Sequence, residues 1–215
     1  MFNKDDIKGV IFDLDGVICS TDELHYLAWK ELADSIGVYF DRQINSRLRG
    51  VSRMASLEII LERSEKKYSQ EEKEALAAEK NETYRKLLER MSPSDVSDEV
   101  RSTLTALRGK GLRLSIGSSS KNTPLILERT DARRYFDAVS DGNNITRSKP
   151  DPEVFLKAAE FIGLAPSVCL VVEDAEAGID AGISGGFFTA AIGSAVHCGK
   201  ANVNLNRFSD LLKYV

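Results

Sequence analysis

Cysteine is scarce in this chain of 215 residues, with only three copies. Cys19, Cys169 and Cys198 have neither the number nor the spacing of a disulfide framework or a thiolate metal site. Reduced thiols and a cytoplasmic setting are therefore the expectation. No apolar run approaches the roughly 20 residues of a membrane span. The opening Met1-Phe2-Asn3-Lys4-Asp5-Asp6 also lacks the apolar core of a signal peptide. A basic block is missing as well: 29 Lys and Arg stand against 33 Asp and Glu, for a net charge of −4. That balance argues against nucleic acid or a membrane surface as the partner. Internal repeats and low-complexity segments are absent. What remains, 42% apolar and 29% charged residues, is the composition of an ordinary globular protein, long enough for one large domain or a domain with an insertion.

The first informative stretch is Val10-Ile11-Phe12-Asp13-Leu14-Asp15-Gly16-Val17. Apolar residues run straight into Asp-x-Asp-Gly, the pattern of a buried strand ending at a polar site. Strand alternation predicts that Asp13 and Asp15 point the same way. Two adjacent carboxylates repel unless a cation lies between them or one carries a proton. Such a pair suits a metal-assisted site with one nucleophilic and one proton-transferring carboxylate. A turn with two capping aspartates satisfies the same residues.

Helical signal follows over Asp22–Ile36, with Leu24, Leu27, Ala28, Leu32 and Ile36 on one stripe. Thr21 or Asp22 is placed to cap its start, and Gly37 to end it. Further helices are expected at about 42–48, 54–64 and 69–91, with no strand among them. This all-helical block forms a cap domain, residues 20–91, inserted into an α/β core of residues 1–19 and 92–215. Ser92-Pro93-Ser94-Asp95 is the return hinge. From Asp98 strands and helices alternate, with strands near 112–116, 138–140, 168–172 and 187–192. The fold class is α/β, a doubly wound, mostly parallel sheet with a Rossmann-like core and an inserted helical cap.

Three strands end in polar residues: Asp13/Asp15, Ser118-Ser119-Ser120-Lys121-Asn122, and Glu173-Asp174. A fourth cluster, Arg147-Ser148-Lys149-Pro150, precedes a helix. Each has an ordinary explanation as a helix cap or a solvated loop. On one edge of one sheet they supply acidic ligands, hydroxyl donors and a cation, the inventory of Mg²⁺-dependent phosphoryl transfer. In the cap, position alone makes His25 a surface histidine. Arg49-Gly50-Val51-Ser52-Arg53 offers two guanidinium groups beside a glycine, although helix-end arginines are commonly exposed. Lys80 lies on an apolar stripe between Leu76 and Tyr84, where it either snorkels or reaches into an interdomain cleft. Trp29 belongs to the cap core.

In this order and spacing the four clusters resemble the haloacid dehalogenase superfamily over nearly the whole chain. The cap resembles that of its β-phosphoglucomutase-like subfamily. The segments that carry the second likeness are 12–18, His25 with 28–30, 50–53, Lys80-Asn81, 92–96 and 120–122. The resemblance implies that Asp13 is the nucleophile forming an aspartyl phosphate and Asp15 the general acid/base. Lys149 steadies the nucleophile and the phosphoryl oxygens. Mg²⁺ is held by Asp13, Asp15 through its backbone carbonyl, and Asp174, with Glu173 nearby. Ser118 and Ser119 bind the phosphate in transfer, while Arg53, Ser120, Lys121 and Asn122 bind a second one. Thr21, Arg49, Gly50, Val51, Ser52 and Lys80 complete the substrate contacts, and His25 with Lys80 couples binding to closure.

The implied activity is interconversion of β-glucose 1-phosphate and glucose 6-phosphate by a monomer acting on small sugar phosphates. A sugar-phosphate phosphatase is the alternative, because its chemistry needs the same clusters. A phosphonate-cleaving relative fits less well, since Asp15 would have no leaving group to protonate. A signalling receiver domain is disfavoured by the first-strand position of Asp13 and by the cap. The chain departs from the pattern at Cys19-Ser20, Arg49, a shortened 37–41 segment and the tail after Gly193.

Overall fold

The most apolar stretches of the chain form adjacent strands at the middle of one sheet. The structure is a computed structural model, and it describes residues 4–48 and 51–215. Strand β1 (Gly9–Phe12) is buried at every position, as is β4 (Cys169–Glu173). Such uninterrupted burial belongs to parallel strands covered on both faces. Strands β2 (Arg113–Gly117), β3 (Ala138–Ser140), β5 (Phe188–Ala191) and β6 (Val203–Asn204) complete a six-stranded sheet in the order β3-β2-β1-β4-β5-β6. Every pairing is parallel. The chain leaves β1 towards one edge and returns to its other side with β4. This is the switch point at which open α/β sheets bind ligands beyond the strand ends.

Register carries that geometry to individual residues. Phe12 is level with Ile116 on β2 and with Val172 on β4. One residue further on, Asp13, Gly117 and Glu173 share a level at the carboxyl edge. The four helices of this unit after the return are α5 (Asp98–Gly109), α6 (Thr123–Arg129), α7 (Glu153–Phe161) and α8 (Glu176–Ser184). Val154, Phe155, Ala158 and Ala159 of α7 pack with Ile11 and Val171 in one buried cluster. The polar edge is thus braced from below by apolar contacts.

The chain divides into two compact units, residues 1–20 with 92–215, and residues 21–91. The second is all helical: α1 (Asp22–Ser35), α2 (Arg42–Ser46), α3 (Arg53–Leu61) and α4 (Gln70–Leu88). Its own core gathers Trp29, Leu32, Ala33, Val38, Phe40, Ile44, Leu48, Leu57, Ile60 and Ala77. A capping box between Ser69 and Glu72 starts α4, satisfying two otherwise orphaned backbone donors. Gly37, at φ 69°, ends α1 in the left-handed conformation. Pro93 opens a short 3₁₀ turn just after the last helix, with Arg101 donating to the carbonyls of Pro93, Val96 and Thr130.

Three expectations need correction. Leu27 is 39% exposed, and α1 instead buries Ala28, Trp29, Leu32 and Ala33, because the large indole of Trp29 takes the central inward position. Thr21 makes no side-chain cap for α1; its hydroxyl accepts from Tyr84 Oη at 3.0 Å. The weakly patterned tail after Gly193 adds β6 and a turn whose Phe208 stacks on Phe12 with centroids 5.7 Å apart. Among the described residues no helix is long and apolar enough to cross a membrane.

Phe155 is fully buried and meets Phe187 edge-on, with ring centroids 6.3 Å apart. Phe155→Ala is expected to lower unfolding stability by about 3–5 kcal/mol, measured by urea titration, with most far-UV signal retained at low denaturant.

Candidate active site

The carboxyl edge of the sheet brings residues far apart in sequence to one place. Asp13 continues β1 by one hydrogen bond, its N–H donating to Val172 O at 3.0 Å. The regular ladder then stops, so alternation does not govern Asp15. Residues 14–19 instead fold into a tight turn, with Ile18 N–H and Cys19 N–H donating to Leu14 O and Gly16 N–H donating to Cys19 O. Gly16 adopts φ +77°, and a Cβ there would stand 2.1 Å from Asp174 Oδ2. Only glycine satisfies both the turn and that close approach. Gly178, in the first turns of α8, gives Glu173 similar room: its Cβ would lie 1.9 Å from Oε1. Gly16 belongs to the Asp-x-Asp-Gly motif, but the room that it and Gly178 leave was not legible in the sequence, because nothing local marks a side chain arriving from another element.

Lys149 Nζ donates to Asp13 Oδ1 and to Glu173 Oε1, each at 2.5 Å. It also lies 4.6 Å from the Phe155 ring centroid. All three charged side chains are buried. Burial opposes the charge on Lys149, yet Asp13 and Glu173 outweigh it and hold the ammonium above its ordinary pKa. Glu173 is raised by burial and then by Asp13, against the pull of Lys149. Its second oxygen accepts from Ala175 N at 2.9 Å. Both oxygens of Glu173 are therefore engaged, and its first effect is to fix the lysine.

Carboxylate oxygens of Asp13, Glu173 and Asp174 lie within 4.8 Å of one another. One ammonium does not balance three carboxylates. Burial, then Asp13, Glu173 and Asp15, push the Asp174 carboxyl up to about 8. An all-oxygen donor set with surplus negative charge fits a hard divalent cation. The side chain of Asp15 does not belong to that group of three. Asp174 is fixed through its backbone, whose carbonyl accepts from Ala195 N at 2.9 Å and Ser194 Oγ at 2.7 Å. Cys19 is buried beside this charge. Burial, followed by Asp15, Asp13 and Asp95, raises its pKa, so the thiol keeps its proton.

On the neighbouring strand, β2 leads into Ser118–Asn122. Ser118 Oγ accepts from Ser120 N, and Ser120 Oγ accepts from Asn122 N, both at 3.2 Å. Each hydroxyl used as an acceptor keeps its own proton to donate. Ser119 Oγ is buried without a hydrogen-bond partner among the described residues, an arrangement that calls for a ligand or water. Asn122 occupies the N-cap position of α6 but makes no side-chain cap bond. Ser120 Oγ instead closes a turn onto the N–H of Asn122, just ahead of the helix. Lys121 is exposed.

The helical unit has its own polar centre. Lys80 Nζ lies 2.8 Å from His25 Nδ1, 4.6 Å from the Trp29 ring and 4.4 Å from the Tyr84 ring. An ammonium can only donate, so His25 Nδ1 accepts and the ring proton sits on Nε2. His25 also stacks on Tyr84 with centroids 4.0 Å apart. Burial, then Lys80 and Arg53, hold the His25 pKa well below the usual histidine range. The ring is neutral and part of a cluster, whereas position alone suggested a surface histidine. Lys80 is buried rather than snorkelling. Ser52 caps α3, accepting from Ala55 N at 3.3 Å, and Arg53 is the first helical residue. Val51 is 36% exposed. Arg49 and Gly50 lie outside the described residues.

Sequence reasoning missed the turn Asp141-Gly142-Asn143-Asn144 after β3, which contacts the Ser118–Asn122 loop. Its Asp-Gly-Asn-Asn composition signals a turn but not the loop it supports.

Residues 7–186 match the model of the haloacid dehalogenase-like hydrolases. The chain is 41% identical over 207 residues to the β-phosphoglucomutase of Bacillus subtilis, covering 95% of this chain and 92% of that protein. It is 31% identical to a phosphorylated carbohydrates phosphatase of Thermotoga maritima, covering 84% and 82%. Among solved structures, the β-phosphoglucomutase of Clostridium difficile superposes with a TM-score of 0.89 at 37% identity, covering 95% and 93%.

Because the carboxyl of Asp174 titrates near 8, its favourable protonated form persists above the ordinary aspartate range and is lost as pH rises through that value. In chelator, the stability of wild type relative to Asp174→Asn is expected to fall steadily from pH 4 to about 8. Urea unfolding at several pH values measures it. A difference independent of pH contradicts the electrostatic origin.

Proposed function

The chain belongs to the haloacid dehalogenase-like hydrolase family, and on that premise we propose that it is a Mg²⁺-dependent mutase interconverting β-D-glucose 1-phosphate and glucose 6-phosphate through β-glucose 1,6-bisphosphate. The observation that carries the phosphoryl-transfer reading is the buried Lys149 bridging Asp13 and Glu173 beside Asp174. Preference for a glucose phosphate rests on the likeness to β-phosphoglucomutases over nearly the whole chain.

In this reading a carboxylate oxygen of Asp13 attacks the phosphorus of the bisphosphate. The bond from phosphorus to the sugar oxygen breaks, leaving an aspartyl phosphate and a hexose monophosphate. Asp15 gives a proton to the departing oxygen and, in the opposite direction, removes one from the attacking hydroxyl. Lys149, already paired with Asp13 Oδ1, fixes the nucleophile and neutralises charge on the transferring group. The carboxylates of Asp13 and Asp174, with the Asp15 carbonyl and Glu173, would hold Mg²⁺, which would supply further neutralisation of the charge on the transferring group.

Ser118 and the unpartnered hydroxyl of Ser119 donate to the phosphate in transfer. A mutase must also hold the other phosphate of its bisphosphate intermediate. Arg53, Ser120, Lys121 and Asn122 are assigned to that second group, where a guanidinium matches phosphate geometry. Thr21, Arg49, Gly50, Val51, Ser52 and Lys80 line the sugar phosphate. The His25–Lys80 pair couples its binding to closure, which keeps water from the aspartyl phosphate. A sugar-phosphate phosphatase is the second reading, favoured by the Thermotoga maritima relative.

Supplied with β-glucose 1-phosphate, Mg²⁺ and a trace of the bisphosphate, the protein is expected to form glucose 6-phosphate faster than it releases inorganic phosphate. Phosphate release without isomerisation makes it a hydrolase. Asp13→Asn is expected to abolish both reactions, and Asp15→Asn to slow them by roughly 10²–10⁴-fold. Arg53→Ala is expected to cost isomerisation about 10- to 100-fold, the value of a charged hydrogen bond, and hydrolysis of a single-phosphate ester much less. Equal losses count against a second phosphate subsite.

A further inference from the structure

Three successive backbone carbonyls of the Ser118–Asn122 loop face one small turn on the neighbouring strand end. Gly142 N–H donates to Ser120 O at 3.2 Å. Asn143 Nδ2 donates to Lys121 O at 3.0 Å. A Cβ on Gly142 would stand 2.4 Å from Ser119 O and 2.9 Å from Lys121 N, so the two segments touch backbone to backbone. Below them, Ser118 N–H donates to Ser140 O at 3.1 Å. The turn is itself firmly held. Asp141 is 5% exposed, and its Oδ1 accepts from Asn143 N at 2.8 Å. Asn144 Oδ1 accepts from Ser140 Oγ at 3.0 Å and from Asp141 N at 3.3 Å. Lys157 of α7 donates to Asn144 O.

We propose that Asp141-Gly142-Asn143-Asn144 is a mould for the Ser118–Asn122 loop, and that Gly142 and Asn143 are positioning residues that set the spacing of the two phosphate subsites. This rests on the reading of Ser118–Asn122 as the phosphate loop. A carbonyl oxygen aimed at a phosphate repels it, so a loop that binds anions must send its carbonyls elsewhere. Here they are sent to the turn. The hydroxyls of Ser118, Ser119 and Ser120 are left to donate. The mould grips both halves of the loop, at Ser118 and Ser119 for the transferring phosphate and at Ser120 and Lys121 for the other. Because Asn143 holds only the Lys121 half, it acts on the reaction that needs two phosphates more than on one that needs a single phosphate.

The test compares Asn143→Ala, Asn143→Asp and Gly142→Ala with wild type. KM and kcat are measured for isomerisation of β-glucose 1-phosphate and for hydrolysis of p-nitrophenyl phosphate, together with the thermal unfolding midpoint. Asn143→Ala is expected to raise KM for the sugar phosphate about 3- to 10-fold, the worth of one hydrogen bond. The loss in isomerisation should exceed the loss in hydrolysis at least threefold, with an unfolding midpoint close to wild type. Asn143→Asp keeps the side chain's volume but turns an acceptor towards Lys121 O, and should lose at least as much. Gly142→Ala displaces the Ser119 carbonyl and is expected to cost on the order of 10²-fold in kcat/KM. Wild-type KM and an unchanged ratio in both Asn143 variants overturn the proposal, as do losses that merely parallel unfolding. If wild type hydrolyses sugar phosphates without isomerising them, the mutase reading fails separately. The mould then stands or falls on whether KM for that hydrolysis rises in Asn143→Ala.

Discussion

One buried ammonium organises this protein. Lys149 sits between Asp13 and Glu173 with both contacts at 2.5 Å, and the rest of the carboxyl edge is arranged to make that possible. Removing one member of a buried ion pair leaves an uncompensated charge, typically at a cost of about 3–5 kcal/mol. The lysine therefore serves the stability of the fold at this edge. It offsets part of a carboxylate cluster that would otherwise repel itself apart, and it orients the oxygen of Asp13 on the same side as Asp174. Burial first, and then the negative charge of Asp13, Glu173 and Asp15, raise the Asp174 carboxyl. The all-oxygen donor set of Asp13, Glu173 and Asp174 fits a hard divalent cation, which would relieve that surplus of negative charge.

Sheet order explains why so few residues suffice. With β1 flanked by β2 and β4, the residues just past three strand ends lie side by side without any long loop to hold them. The loop from β3 to α7 then needs only to deliver Lys149, and Phe155 beneath the ammonium anchors the start of that helix. Glycines at 16 and 178 remove the volume that two incoming carboxylates occupy. Polar placement is thus set by apolar packing and by missing side chains as much as by the polar residues themselves.

The helical unit is organised in the same manner on a smaller scale. Lys80 is buried against two aromatic rings and a histidine nitrogen, so ring faces and a lone pair help to meet its charge. Tyr84 links it to Thr21 at the start of the insertion, and the neutral His25 is locked in one tautomer. A cluster held in this way keeps both side chains in one fixed arrangement.

Local pattern alone located nearly all the helices and five of the six strands, because long amphipathic or uniformly apolar runs leave a clear period in the sequence. Asp13, Glu173 and Asp174 were legible for a similar reason: polar residues directly after buried strands have few other places to go. Lys149, in a loop before a helix, was legible only through the order of the four clusters. The sequence was silent on the two-residue strand Val203–Asn204, which is too short to show any period. It was equally silent on the turn at 141–144, whose composition marks a bend but not its neighbour. It suggested Thr21 as a cap and His25 as a surface residue, and tertiary contacts with Tyr84 and Lys80 decided otherwise. Chain order and residue type determined which groups reach the strand ends. Only the tertiary structure decided which carboxylate holds the lysine, which titrates high and which glycines must stay small, because distances between segments far apart in sequence depend on packing that no local period encodes.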